Sequence, residues 1–203
     1  MATHADSQSL PLIYLARHGE TAWSISRQHT GLTDLPLTER GERNACRLGA
    51  RLETESFARV LTSPLQRASR TCELSGFGAV ARVDEDLVEW NYGDYEGKTS
   101  AEIELQCPGW EIFRDGCPGG ESVEQVAARA DRIIKRLRAA DGNSLLFAHG
   151  HLLQILAARW VGLEAMAGRY FLLSTTAMNI LGYHHDHDDP VIRLWNDCSH
   201  AGN

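Results

Sequence analysis

Apolar residues along the chain fall into short unbroken runs separated by longer stretches of amphipathic spacing. LPLIYLA (10–16) is continuously apolar without a helical period, which predicts a strand buried on both faces. After Thr38, the spacing of Ala45, Leu48 and Leu52 among charged residues predicts a helix. RVLT (59–62) reads as a second strand. Ser63-Pro64 then reads as the N-cap and first residue of a helix that runs through Leu74 and stops at Gly76. VARV (80–83) reads as a third strand. Residues 84–120 are rich in glycine and proline and read as mostly irregular, with a short helix over 99–106. Ser122 caps a helix with the stripe Val126, Ala127, Ala130, Ile133, Ile134 and Leu137, ended by Gly142. SLLFA (144–148) is the next buried strand, and a helix follows from about Leu152 to Val161. FLLS (171–174), MNILGY (178–183) and VIRLW (191–195) predict late strands. Strands alternating with helices argue for an α/β fold, a three-layer α/β/α sandwich around a mostly parallel sheet.

Composition narrows the function classes. The 203 residues suit one domain spanning 1–203, with 1–9 as a loose N-terminal tail. A formal net charge of −7 gives no support for nucleic acid or an anionic membrane surface as a partner. Any anion site must therefore be assembled from local positive groups. The N-terminus lacks a secretory pattern, and no apolar run is long enough to span a bilayer. Five cysteines, an odd number without a CxxC pair, indicate reduced thiols in a cytoplasmic protein rather than a disulfide framework. Assembly into a homo-oligomer is left open.

Three segments share one grammar, in which an apolar strand gives way abruptly to a compact polar cluster: LIYLA-RHGE, VLTS-PLQR and LLFA-HGH. In open α/β sheets ligands bind beyond the carboxyl ends of the strands, so the three clusters should converge. They would bring Arg17, His18, Arg67 and His149 together, a set suited to a dianion such as phosphate. The helix start after His149 would add free N–H groups. Each residue has a plainer reading: a histidine at a strand end is more often structural, and a helical arginine is more often solvated. His151 either lines the pocket or caps the helix. Trp23, Trp90, Tyr92 and Trp110 either shape a cleft or simply pack. HHDHDD (184–189) reads as a polar turn rather than a metal site, because its spacing matches no recognised ligand pattern. The chain has no GxSxG elbow, Walker loop or dinucleotide fingerprint.

LARHGETAW resembles the signature of the histidine phosphatase superfamily, the phosphoglycerate mutase-like family. The similarity continues through TGLTDLPLTERG (30–41), LTSPLQRASRT (61–71), LVEWNYGDYEG (87–97), CPGGES (117–122) and LLFAHGHLLQILAARW (145–160). The resemblance implies the phosphoglycerate mutase-like fold and a phosphatase that needs no metal or cofactor. It makes His18 the nucleophile, Arg17, Arg67, His149 and Gly150 the phosphate pocket, and Glu89 the proton donor. Thr30 and Gly31 become substrate-side neighbours. Many relatives have asparagine where this chain has Ser24, whose shorter hydroxyl would have to make the phosphate contact. Serine here, followed by HTGLTDLPLT, resembles a subgroup acting on sugar bisphosphates.

The residue types fit that chemistry. An unprotonated imidazole nitrogen attacks phosphorus in line, while the other ring nitrogen is held by an acceptor such as the Gly19 carbonyl. Fixed positive groups hold the charge spread over the equatorial oxygens. Glu89 would protonate the leaving oxygen and then activate water, although in its acidic surroundings it also reads as an ordinary surface residue. The expected substrate is a small phosphate ester. A phosphoglycerate mutase is the second reading and a catalytically silent phosphate-binding module the third. Hydrolysis is preferred over mutase activity because the segment between Glu89 and His149 is short, leaving little to cover the site.

Overall fold

The structure, a computed structural model, describes residues 10–201, so the tail expected over 1–9 lies outside the described residues. Most of the expected strands and helices form in order, with FLLS absent and two short helices, Ala22–Ser26 and Ile112–Asp115, added. The elements are β1 (Ile13–Arg17), α1 (Ala22–Ser26), α2 (Glu39–Leu52), β2 (Arg59–Thr62), α3 (Gln66–Leu74), β3 (Arg82–Val83), α4 (Ser100–Gln106), α5 (Ile112–Asp115), α6 (Val123–Arg138), β4 (Ser144–Ala148), α7 (Gly150–Trp160), β5 (Met178–Tyr183) and β6 (Pro190–Asp197).

The sheet has six strands in the order β3-β2-β4-β1-β5-β6. The first four run parallel, and β5 pairs antiparallel with both β1 and β6. Alternation along the strands explains the unbroken apolar runs. Ile13, Leu15, Leu61 and Leu146 face a core shared with Val126, Ile133 and Leu137 of α6 and Leu152 and Leu156 of α7. Tyr14, Ala16, Val60, Leu145 and Phe147 face a second core with Leu48 and Leu52 of α2 and Cys72 of α3. Helices thus cover both faces, as the three-layer reading requires.

Several boundaries differ from the sequence expectation. FLLS is not a strand: the carbonyls of Phe171, Leu172 and Leu173 accept side-chain hydrogen bonds from Gln154, Trp195 and Arg17. Only Arg82–Val83 of VARV pairs, as an exposed edge. The helix after β2 begins at Gln66 rather than Pro64, because Asp34 from another loop accepts the Gln66 N–H at 2.8 Å. Ser63 is thereby released for a different partner. α7 begins at Gly150, two residues before the expected start, with His149 at its N-cap. α1 was not anticipated. Thr21 and Ser24 build a reciprocal cap that starts it. None of the five cysteines is paired, and no described helix is long and apolar enough to cross a membrane.

Candidate active site

The carboxyl ends of β1, β4 and β2 lie side by side in the sheet, with Arg17 in register with Ala148 and Thr62 with Phe147. The three polar clusters therefore meet, as the strand-end grammar predicts. His18 follows β1 and is only 4% exposed. Its N–H donates to the Ala148 carbonyl at 2.9 Å, and its own carbonyl accepts from Thr176 at 3.0 Å. The backbone carrying the ring is thus fixed by the end of β4 on one side and by the turn before β5 on the other.

The His18 Nδ1 lies 2.7 Å from the Gly19 carbonyl oxygen. A carbonyl can only accept, so Nδ1 carries the proton and Nε2 holds the lone pair. Burial, with Arg67 and Arg17 close by, pushes the imidazole well below its ordinary 6.5. The ring is neutral at pH 7 and nucleophilic at Nε2. Gly19 is itself held: its N–H donates to Thr71 Oγ1 at 2.9 Å, and that hydroxyl donates to the Arg67 carbonyl at 2.7 Å.

His149 packs beside His18 with ring centroids 5.2 Å apart. Its Nε2 is 2.8 Å from Ser63 Oγ. Ser63 Oγ also accepts the Leu65 N–H at 3.3 Å; where its own proton goes to His149 Nε2, the ring proton of His149 sits on Nδ1. Burial and the same two arginines hold His149 well below 6.5. Arg67 is fully buried, and its terminal nitrogens donate to the carbonyls of Thr30, Gly31 and Thr33. Arg17 donates to the Leu173 carbonyl. Three nitrogens beside His18 have no hydrogen-bond partner among the described residues: Arg17 Nε, Arg67 Nε and His149 Nδ1. Buried donors without partners are costly in a folded protein, and an oxyanion is the kind of acceptor they lack.

Glu89 is 4% exposed. One carboxylate oxygen accepts from the N–H groups of Trp90 at 2.9 Å and Leu152 at 3.0 Å, and the other from His151 at 3.1 Å. The start of α7 thus positions this side chain. Gly150 sits where a Cβ would lie 3.4 Å from the Arg17 guanidinium and 3.6 Å from the Glu89 carboxylate.

Arg17, His18, Glu89 and Gly150 open onto a cavity of about 550 Å³, whose outer wall includes Trp23, Ser24, Thr30, Tyr92 and His151. Arg67 and His149 are fully buried beside His18 at the inner end of the site. Ser24 lines the cavity, but its hydroxyl donates to the Thr21 carbonyl at 2.8 Å and accepts the Thr21 N–H at 2.8 Å. Gly31 holds Arg67 from behind, and its N–H donates to Glu96 at 2.8 Å. His151 is in the pocket rather than a cap, 2.6 Å from the Tyr92 hydroxyl, with its pKa pushed down to about 3 mainly by burial. A larger depression of about 820 Å³ lies between Ala58–Leu61 and Arg82–Glu85. It holds no nucleophile facing a base, and its Arg136 is already paired with Asp84 and Asp86.

Sequence reasoning did not single out Thr71 or Thr176, and took Ser63 only as a helix cap, not as the partner of His149. Ser63 and Thr71 lie in SPLQRASRT, but nothing in that run distinguishes them from Ser69, which is not buried.

The family model for the histidine phosphatase superfamily (branch 1) matches residues 13–198. The chain belongs to that superfamily. As a histidine phosphatase it shares 39% identity with an acid phosphatase of Mycobacterium tuberculosis, over 85% of this chain and 87% of the relative. It shares 33% identity with sedoheptulose 1,7-bisphosphatase of Saccharomyces cerevisiae, over 91% of this chain and 92% of the relative. The solved structure of a Mycobacterium tuberculosis open reading frame product superposes with a TM-score of 0.86 at 36% identity, covering 92% of this chain and 97% of that one. Bacterial relatives named for phosphoglycerate mutase share 32% identity. The phosphoglycerate mutase-like fold of this histidine phosphatase therefore agrees with both its sequence and its structural relatives.

Proposed function

We propose that this histidine phosphatase hydrolyses small phosphate monoesters through a phosphohistidine at His18. The observation that carries the proposal is the neutral His18 ring with its Nδ1 on the Gly19 carbonyl, surrounded by three unpartnered buried nitrogens. The His18 Nε2 lone pair attacks phosphorus, and the bond from phosphorus to the ester oxygen breaks. Arg17, Arg67 and His149 hold the equatorial oxygens. Glu89, as the proton donor, transfers a proton to the leaving oxygen. Glu89 then takes a proton from water as the water oxygen attacks phosphorus, the P–N bond breaks and Nε2 regains its lone pair.

The substrate body fits a sugar phosphate or bisphosphate. A cavity of about 550 Å³ exceeds what phosphate alone requires, and its wall carries Gln28, His29, Ser100, His151 and Gln154. The bisphosphatase relative supports the same reading. The relatives named for a mutase favour the second reading, transfer of phosphate between hydroxyls. The test is acid-quenched trapping of acid-labile, base-stable phosphoenzyme, which His18→Ala should remove together with turnover. Retained turnover in a folded His18→Ala protein would refute the mechanism. Incubation with 3-phosphoglycerate and catalytic 2,3-bisphosphoglycerate should release phosphate without fast isomerisation. Rapid 2-phosphoglycerate formation would favour the mutase.

A further inference from the structure

Glu89 sits in a segment where Val88–Asn91 belong to no helix or strand. Its backbone carbonyls therefore need partners from elsewhere. A single side chain supplies those of Val88 and Glu89. Arg129 of α6, 8% exposed, donates from one terminal nitrogen to the carbonyls of Asp86 and Val88, both at 2.8 Å. Its other terminal nitrogen donates to the Glu89 carbonyl at 3.3 Å.

The remaining edge of the guanidinium makes a two-pronged contact with Glu121, Nε to Oε1 and the terminal nitrogen to Oε2, both at 2.8 Å. Glu121 in turn grips the far end of the segment. Its carboxylate accepts the Asn91 N–H at 3.0 Å, its carbonyl accepts Trp90 Nε1 at 2.9 Å, and its N–H donates to the Asn91 carbonyl at 2.9 Å. The Glu89 backbone is thus clamped on both sides by one partly buried ion pair, while its carboxylate is aimed by α7.

We propose that Arg129, held by Glu121, is a positioning residue for the proton-transfer group, acting on catalysis only through Glu89. The inference rests on the reading of Glu89 as proton donor. Only a planar fork of five donors can reach three carbonyls and a carboxylate at once. Lysine keeps the charge but cannot span them, so Arg129→Lys should loosen the segment without leaving Glu121 unpaired. A displacement approaching 1 Å at a proton donor costs up to about 100-fold in rate. The loss should fall on substrates whose leaving oxygen needs the proton.

The experiment compares β-glycerophosphate, an alkyl ester, with p-nitrophenyl phosphate, whose leaving group needs little help. Arg129→Lys should lower kcat/KM for β-glycerophosphate by about 10- to 100-fold and for p-nitrophenyl phosphate by less than about threefold. Glu89→Gln should discriminate in the same sense. Adding Arg129→Lys to Glu89→Gln should leave the ratio of the two substrates unchanged, because one pathway is already broken. If Arg129→Lys unfolds the protein, Glu121→Gln, which keeps an acceptor toward Arg129, carries the same comparison. Equal losses on both substrates, or a further change of the ratio in the double variant, would overturn the inference. If Glu89→Gln discriminates and neither clamp variant does, the positioning role fails while the donor role stands. If Glu89→Gln itself fails to discriminate, the donor reading falls and the positioning role with it.

Discussion

Gly41 lies on α2, away from the cavity, and helix propensity alone predicts that Gly41→Ala should stabilise the protein by about 1 kcal/mol. The structure predicts the opposite. A Cβ at Gly41 would lie 2.8 Å from the Glu20 nitrogen and closer still to the Glu20 carbonyl oxygen. Both are backbone atoms, and the same carbonyl accepts the Thr38 N–H at 2.8 Å, so neither can swing aside. The reciprocal contact is as tight: a Cβ at Gly19 would lie 2.8 Å from the Gly41 carbonyl oxygen. Relief requires the turn after His18 to move by about 0.5–1 Å, and such overpacking costs about 1–3 kcal/mol. The overpacking outweighs the propensity gain, leaving a net loss of about 1 kcal/mol and a fall in Tm of about 2–4 °C. The functional effect should be larger. The same turn carries the Gly19 carbonyl that fixes the His18 ring, and a shift of that size should lower kcat for p-nitrophenyl phosphate by about tenfold or more. A thermal melt and a steady-state assay on the purified variant decide the matter. A raised Tm with unchanged kcat would refute the close-crossing argument.

Thr71→Val, nearly isosteric, strips the buried Gly19 N–H of its acceptor and should cost about 1–3 kcal/mol, measurable by urea unfolding. The pKa values of His18, His29, His149 and His151 are all lowered in the folded state, chiefly by burial. The unfolded chain therefore binds more protons below about pH 6.5, and the stability these groups contribute is present above that pH and lost as pH falls toward their folded values. Tm in a phosphate-free buffer should drop between pH 7 and pH 5, whereas a flat profile would contradict the neutral assignments. Turnover should survive exhaustive chelation, since Glu89 is the one carboxylate among the residues lining the cavity and a hard cation needs several oxygen ligands. Loss on chelation with recovery on added metal would redirect attention to the exposed group of His184, His185 and Asp189.

Much of this was legible in the chain itself. Short, continuously apolar runs such as LPLIYLA and SLLFA pointed to buried strands, and the polar residues at their ends to one edge of a parallel sheet. Motifs carried His18, Arg17, Arg67, His149 and Glu89 as a set. The sequence could not say that FLLS would bend, because its carbonyls are claimed by Gln154, Trp195 and Arg17 from three distant segments. Nor could it reveal that Asp34 starts α3, that Ser24 would be engaged by Thr21, or that Arg129 would hold the Glu89 segment. The division has a physical cause. Periodicity and strand-end chemistry depend on neighbours a few residues apart, whereas the partner of a buried donor or the clearance beside a glycine is set by chain segments that only the folded packing brings within 3 Å of each other.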